Sequence, residues 1–278
     1  MDRLDPRIKI KLAQAEAEIL HAGSLVVAFS GGVDSSVVAL LAFRCLRERA
    51  VATFGRSPAF TDEDLNVAQQ VARFIGIPLM IIETEEFKLE GYLRNLPSRC
   101  FYCKAELFGK LERVRNQLGF AFIAYGANAD DAKDFRPGAK AADKLNILAP
   151  LARANLHKDE IREIARFYRL PNWSRPSNSC LSSRIPYGTR ISVDALERVR
   201  MAEEKLRSLG FAQVRVRDFG RAAVVELDKP FDELTSEDKA DIEQAVIGAG
   251  YSRVRIDPEG YQQGKLYRIF RQQSNLSL

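Results

Sequence analysis

Apolar residues in this chain switch repeatedly between two spacings, and the switching lays out its architecture. Leu12, Ala15, Ile19 and Leu20 recur at helical intervals within residues 7–21, which predicts an amphipathic leading helix with these four on one side. Residues 25–29 form a short continuous apolar run of the buried-strand kind. Helical spacing then returns across Val37, Leu40, Leu41 and Leu46, to about residue 47. Further strands are predicted at 51–54, 78–82 and 120–125. Between them, Thr61-Asp62-Glu63-Asp64 reads as a capping box for a helix ending at Gly76, and a helix over 103–118 stops at Gly119. A helix over 156–169 is closed by Pro171. Strands alternating with helices predict an α/β fold with a doubly wound parallel sheet.

The pattern changes after residue 171. Residues 171–190 are rich in Pro, Ser, Asn and Arg and have little apolar periodicity. A passive linker is one reading. The cysteine, arginines and hydroxyls they carry suit an active-site loop better. From Ser192 a helix over 193–209, strands at 211–217 and 222–228, a helix over 235–248 capped by Thr235 and a strand at 251–256 predict a smaller α+β domain. The expected domains are therefore 1–171, a loop at 172–191 containing Cys180, and 192–278.

With 278 residues the chain is long enough for two cores, and 46% hydrophobic with 28% charged residues is ordinary for a soluble protein. No apolar run reaches membrane-spanning length and residues 1–6 lack a signal-peptide pattern, so the expected location is cytoplasmic, with no membrane partner. Cysteines in that compartment are reduced, catalytic or metal-bound rather than paired in disulfides. A net charge of +5 suits an anionic partner, either nucleic acid or a small phosphorylated molecule.

The most informative stretch joins the first strand to its helix: Ser30-Gly31-Gly32-Val33-Asp34-Ser35-Ser36. Glycine permits a tight turn, the helix start presents free N–H groups, and its dipole favours an anion. The serines add hydroxyl donors, and Asp34 can hold Mg2+ beside phosphates. The string lacks the Walker spacing and lysine, and it is not G-x-G-x-x-G. It resembles the PP-loop of ATP pyrophosphatases, which split ATP between its α and β phosphates and transfer AMP to a substrate oxygen. In a doubly wound sheet, ligands lie beyond the carboxyl ends of the strands, where the loop opening at Gly126 and running through Asp130 and Asp131 also falls.

Three of the four cysteines draw attention. Cys45 has the spacing of a packed core thiol. Cys100 and Cys103 form Arg-Cys-Phe-Tyr-Cys-Lys just before a predicted helix, and Cys180 sits in Ser-Asn-Ser-Cys-Leu-Ser-Ser-Arg. A helix N-terminus favours thiolate. A structural zinc wants four ligands, and neither His21 nor His157 shows ligand spacing. Three thiolates suit a 4Fe–4S cluster with one open iron, while thiol or persulfide chemistry remains the alternative.

Together these features resemble the LarE-type ATP-dependent sulfur transferases of nickel-pincer cofactor biosynthesis. The likeness rests on residues 30–36, on 100–104, on Gly126-Ala127-Asn128-Ala129-Asp130-Asp131, on the 180–190 block from Cys180 through Arg184 to Arg190, and on Val214-Arg215-Val216-Arg217-Asp218. It covers nearly the whole chain. It implies an adenine nucleotide alpha hydrolase-like domain, ATP and Mg2+ as cofactors, and pyridinium-3,5-biscarboxylic acid mononucleotide as substrate. A carboxylate would be adenylylated, and a sulfur nucleophile would then displace AMP. Family members either sacrifice one cysteine, here matching Cys180, or keep three and bind a cluster. The presence of Cys100 and Cys103 points to a 4Fe–4S cluster on Cys100, Cys103 and Cys180 that carries sulfide from a separate sulfur source. The resemblance also implies a homo-oligomer.

Arg215 and Arg217 are two apart in a strand and share a face, which suits a grip on the substrate phosphate, with Ser183 and Arg184 completing it. A solvated basic strand face is the alternative. Lys104 is placed to neutralise charge at AMP or at the substrate carboxylate. A tRNA thiolase would use the same chemistry and fits the positive charge. Yet the chain shows neither an added RNA-binding module nor interleaved aromatic and basic residues, so nucleic acid is not the expected partner. An ammonia-using synthetase would leave the three cysteines without a role.

Overall fold

A computed structural model of the protein describes residues 4–133, 139–176 and 179–262, together with Lys265, Tyr267, Arg268 and Phe270. It separates into two units: Met1–Glu86 with Cys100–Asn178, and Phe87–Arg99 with Ser179–Leu278.

In the first unit, α1 (Pro6–Ala22), β1 (Leu25–Ala28), α2 (Val33–Leu46), β2 (Ala50–Arg56), α3 (Asp62–Ile75) and β3 (Leu79–Glu83) follow in order. In the second unit a short helix, α4 (Glu90–Leu93), precedes α5 (Arg99–Leu118), which re-enters the first unit at Cys100. There follow β4 (Phe122–Tyr125), α6 (Ala139–Lys144), α7 (Pro150–Arg153) and α8 (Lys158–Phe167). All strand pairs in the sheet are parallel, in the order β3-β2-β1-β4. The alternation of side chains sorts the core onto two faces. Leu25, Val27, Ala50, Ala52, Phe54 and Ala124 pack with α1, α2, α3 and α8. Val26, Val51 and Ile123 pack against Phe108, Leu111 and Val114 of α5. Each buried Leu or Val contributes about 1.5–3 kcal/mol relative to exposure. The doubly wound α/β expectation holds. Winding reverses between the neighbours β1 and β4, which makes their carboxyl ends the switch point.

The second unit also contains α9 (Val193–Ser208), β5 (Val214–Phe219), β6 (Ala222–Leu227), α10 (Ser236–Ile247) and β7 (Arg253–Ile256). β5 and β6 pair antiparallel, while β6 and β7 pair parallel. Val214, Val216, Val225 and Leu227 meet Ala202 and Leu206 of α9 and Ile242 and Val246 of α10. Among the described residues no helix is long and apolar enough to cross a membrane.

Local signals were reliable where both partners are close in sequence. Thr61 with Asp64 and Thr235 with Asp238 form complete capping boxes. Boundaries moved where distant residues intervene. α5 begins at Arg99, four residues before its expected start, because the Arg99 guanidinium donates to Asn95 Oδ1 at 2.6 Å and to the Ser182 carbonyl at 2.8 Å. Cys100 therefore lies inside the first turn of the helix rather than ahead of it, with Cys103 about one turn further on. β5 starts three residues later than its pattern suggested, since Gly210 at φ 98° and Phe211 close the end of α9 first. Leu20, expected on the packed side of α1, is exposed; the buried stripe is Ile8, Leu12, Ala15, Ile19 and Ala22.

Candidate active site

The turn after β1 is built as a cage of short bonds around two glycines. Gly31 adopts φ 70°, and a side chain there would also press on the backbone of Ala68 in α3. Ser35 Oγ donates to the Gly32 carbonyl at 3.0 Å, and Ser36 Oγ donates to the same oxygen at 2.8 Å. The Ser30 and Ser35 hydroxyls lie 3.2 Å apart, and the Gly32 N–H reaches Ser30 Oγ at 3.3 Å. Gly32 is the N-cap of α2 and has no side chain to cap the first N–H groups of Val33, Asp34 and Ser35. Of the predicted nucleotide residues, Val33, Ser35 and Ser36 are buried, so the turn has a firm floor.

β4 delivers Gly126 onto this turn. A Cβ at Gly126 would stand 2.6 Å from Ser35 N and 2.9 Å from the Asp34 carbonyl carbon. Backbone meets backbone there, which only glycine allows. The expectation that the two loops share one end of the sheet holds, and Gly126 is the reason they can touch.

Asp34, the predicted Mg2+ ligand, is held from two sides. Lys158 Nζ donates to its Oδ1 at 2.6 Å, and Asn128 Nδ2 donates to its Oδ2 at 3.3 Å. Asp130 instead anchors α8, accepting from the Lys158 N–H at 2.9 Å and lying 2.8 Å from His157 Nδ1. His157 is the N-cap of α8, so its structural reading stands. Sequence reasoning missed Lys158, Asn128 and Asn172. Their partners lie 94 to 141 residues away, and no local pattern signals such contacts. The single usable hint was the absence of a lysine from the turn, which invited a search for one elsewhere.

α5 brings the thiol pair to the same unit. Cys100, Cys103 and Lys104 follow one another within its first turns, and both thiols are half-buried. Lys104 Nζ sits over the Tyr125 ring, 4.8 Å from its centre, at the carboxyl end of β4. Cys45 packs against the core as expected, and burial, followed by Glu16, pushes its thiol pKa up. Among the described residues, no three His, Cys, Asp or Glu side chains are gathered as a metal site.

The second unit holds Cys180 at the start of a tightly fastened loop. Asn95 Nδ2 donates to the carbonyls of Ile185, Pro186 and Thr189, and Tyr92 Oη lies 2.5 Å from Ser182 Oγ. Arg184 is completely buried. It pairs with Glu203 through both carboxylate oxygens, at 2.8 and 2.9 Å, and also donates to the Cys180 carbonyl at 3.1 Å. Arg217 pairs with Glu226 and donates to the Ser183 carbonyl at 2.9 Å. Arg215 lies under Tyr261, and burial, then Arg184, pull its guanidinium down to about 10. Ser183, Arg184, Arg215 and Arg217 are thus gathered in one unit, as a buried network rather than a solvated face. Glu203 holds Arg184 and Glu226 holds Arg217 within it, and guanidiniums gathered this way suit an anion.

Burial alone would raise the Glu203 pKa, but Arg184, Arg215 and Arg207 together outweigh it and hold the carboxyl below its ordinary range. The stabilisation from this carboxylate is complete above the unfolded value of about 4.3 and is lost as pH falls through the lower folded one. Glu203→Gln would leave Arg184 buried against a neutral amide, a loss of about 3–5 kcal/mol. Urea unfolding at pH 7 should show that loss, and the acid side of the variant's stability profile should be flatter than that of the wild type.

The NAD synthase family profile matches residues 8–98, which include the 30–36 turn. An uncharacterized protein of Synechocystis sp. is 40% identical over 246 residues, covering 88% of this chain and 92% of that protein. Pyridinium-3,5-bisthiocarboxylic acid mononucleotide synthase of Lactiplantibacillus plantarum is 31% identical over 259 residues, covering 92% of this chain and 93% of the enzyme. An uncharacterized protein of Methanocaldococcus jannaschii is 28% identical over 253 residues, 91% of this chain and 96% of that one.

Proposed function

Because this chain belongs to the LarE-type ATP-dependent sulfur transferases of the PP-loop superfamily, we propose that it converts a carboxylate of pyridinium-3,5-biscarboxylic acid mononucleotide to a thiocarboxylate for nickel-pincer cofactor biosynthesis. The carboxylate oxygen attacks the α-phosphorus of ATP, pyrophosphate leaves, and an acyl adenylate forms. A sulfur nucleophile then adds to the acyl carbon and AMP departs with the original oxygen. Activation is needed because a carboxylate oxygen is a poor leaving group until it is joined to AMP.

One observation carries the reading. Within the first unit, the 30–36 turn, the Gly126 loop and Lys104 over Tyr125 share the carboxyl ends of β1 and β4, and Cys103 precedes Lys104 directly. The turn and Gly126 hold the triphosphate, and Asp34 exchanges Lys158 for Mg2+. Lys104 offsets charge on the adenylate. In the second unit Ser183, Arg184, Arg215 and Arg217 receive the substrate phosphate.

The donor chemistry around the thiols suits a 4Fe–4S cluster on Cys100, Cys103 and Cys180. Two of these thiols stand one helical turn apart on α5. When bound, such a cluster supplies an open iron that carries a sulfide from an external source. Metal and sulfide analysis after anaerobic purification tests this, with about four irons and four sulfides per chain expected. An iron-free active enzyme whose Cys180 loses one sulfur on turnover would overturn the cluster and leave Cys180 as a sacrificial donor. A homo-oligomeric, cytoplasmic enzyme is the accompanying proposal.

A further inference from the structure

Asn172 lies in the turn after α8, far from the phosphate turn in sequence, yet its side chain is buried against that turn. Its Nδ2 donates to the Gly31 carbonyl at 2.7 Å and to Ser36 Oγ at 2.9 Å. Counting protons fixes which way the amide faces. Ser36 spends its only hydroxyl proton on the Gly32 carbonyl, so its oxygen must accept from Asn172. A flipped amide would set Oδ1 against the Gly31 carbonyl, acceptor against acceptor. The Asn172 Oδ1 itself is buried and has no hydrogen-bond partner among the described residues. An amide that leaves its own oxygen unsatisfied in order to use both N–H groups on the turn is held there for what those N–H groups do.

We infer that Asn172 is a positioning residue that locks the Gly31–Gly32 peptide with its carbonyl turned out of the phosphate cradle. Two adjacent glycines, one at φ 70°, leave this peptide free to rotate. Rotated, it would aim a carbonyl oxygen at the phosphates and withdraw the Gly32 N–H. Asn172 holds the Gly31 oxygen on the outer side, just as Ser35 and Ser36 hold the Gly32 oxygen. This peptide is thus preset for an anion before nucleotide arrives, so it need not turn when the phosphates bind. The inference rests on the reading that the 30–36 turn binds the phosphates of ATP.

The test compares inorganic pyrophosphate with adenosine, each titrated calorimetrically into the full-length wild type, Asn172→Ala and Asn172→Asp. Wild type should bind pyrophosphate. Asn172→Ala should weaken it by roughly tenfold to a hundredfold, the effect of one or two lost polar contacts, and raise KM for ATP more than it lowers kcat. Asn172→Asp keeps the shape but replaces the donor with an acceptor that can take the Gly32 N–H. It should therefore bind pyrophosphate more weakly than Asn172→Ala. Adenosine affinity should stay the same in all three. Equal pyrophosphate affinity in all three proteins would overturn the inference, as would parallel losses of pyrophosphate and adenosine in both variants. Failure of wild type to bind pyrophosphate would instead overturn the phosphate-cradle reading. Should Asn172→Ala not fold, the isosteric Asn172→Asp decides the question alone.

Discussion

Replacing Gly126 with alanine is expected to reduce ATP-dependent pyrophosphate release by about a hundredfold or more while leaving the chain folded. The added Cβ would fall 2.6 Å from Ser35 N, and the atoms it meets are backbone, which cannot swing aside as a side chain can. Either the start of α2 or the Gly126 loop must shift, and both line the proposed nucleotide site. A displacement near 1 Å costs about 10²-fold when reacting groups must be aligned. Overpacking of this kind also removes about 1–3 kcal/mol of stability. Gly109→Ala in α5 is the control: its Cβ would meet nothing within 4 Å, and alanine is the better helix former. That variant should keep its pyrophosphate release and melt no lower than wild type. Equal activity in both variants would show that the contact between the two loops has no bearing on the nucleotide.

The second large effect separates the two halves of the reaction. Simultaneous replacement of Cys100, Cys103 and Cys180 by alanine should abolish thiocarboxylate formation, because it removes every thiol proposed to hold or supply the sulfur nucleophile. Pyrophosphate release in the presence of substrate should continue at a reduced number of turnovers, because the 30–36 turn, Gly126 and Lys104 are all untouched. A triple variant that still forms thiocarboxylate would remove the cysteines from the chemistry. One that also stops releasing pyrophosphate would show that the thiols take part in activation itself.

These two results bear on different links between sequence and function, and the links were not equally legible. The phosphate turn could be read from the chain because everything that shapes it locally lies between Ser30 and Ser36. The capping boxes at Thr61 and Thr235 were readable for the same reason. The parallel sheet followed from alternation and from the rule that parallel strands need a helical crossover. What surrounds the turn could not be read. Lys158, Asn128 and Asn172 reach it from 94 to 141 residues away, through side chains ordinary in their own segments.

The arginines show a subtler limit. Alternation correctly placed Arg215 and Arg217 on one side of β5. It could not show that Glu226, two places along the paired strand from the residue opposite Arg217, would be there to meet it. Nor could it show that α9 would carry Glu203 to Arg184. An exposed basic strand and a buried charged network have the same local pattern and differ only in what the rest of the chain packs against them. The early start of α5 has a similar origin, since a hydrogen bond from Arg99 to Ser182 spans 83 residues. It matters for function because it brings Cys100 into the same helix as Cys103.

The central claim is that nucleotide activates a substrate carboxylate before sulfur arrives, and isotope transfer tests it most directly. With carboxylate-¹⁸O substrate, MgATP and a sulfide source, the AMP recovered should carry one ¹⁸O for each thiocarboxylate formed, and the pyrophosphate none. Unlabelled AMP accompanying thiocarboxylate would contradict the claim.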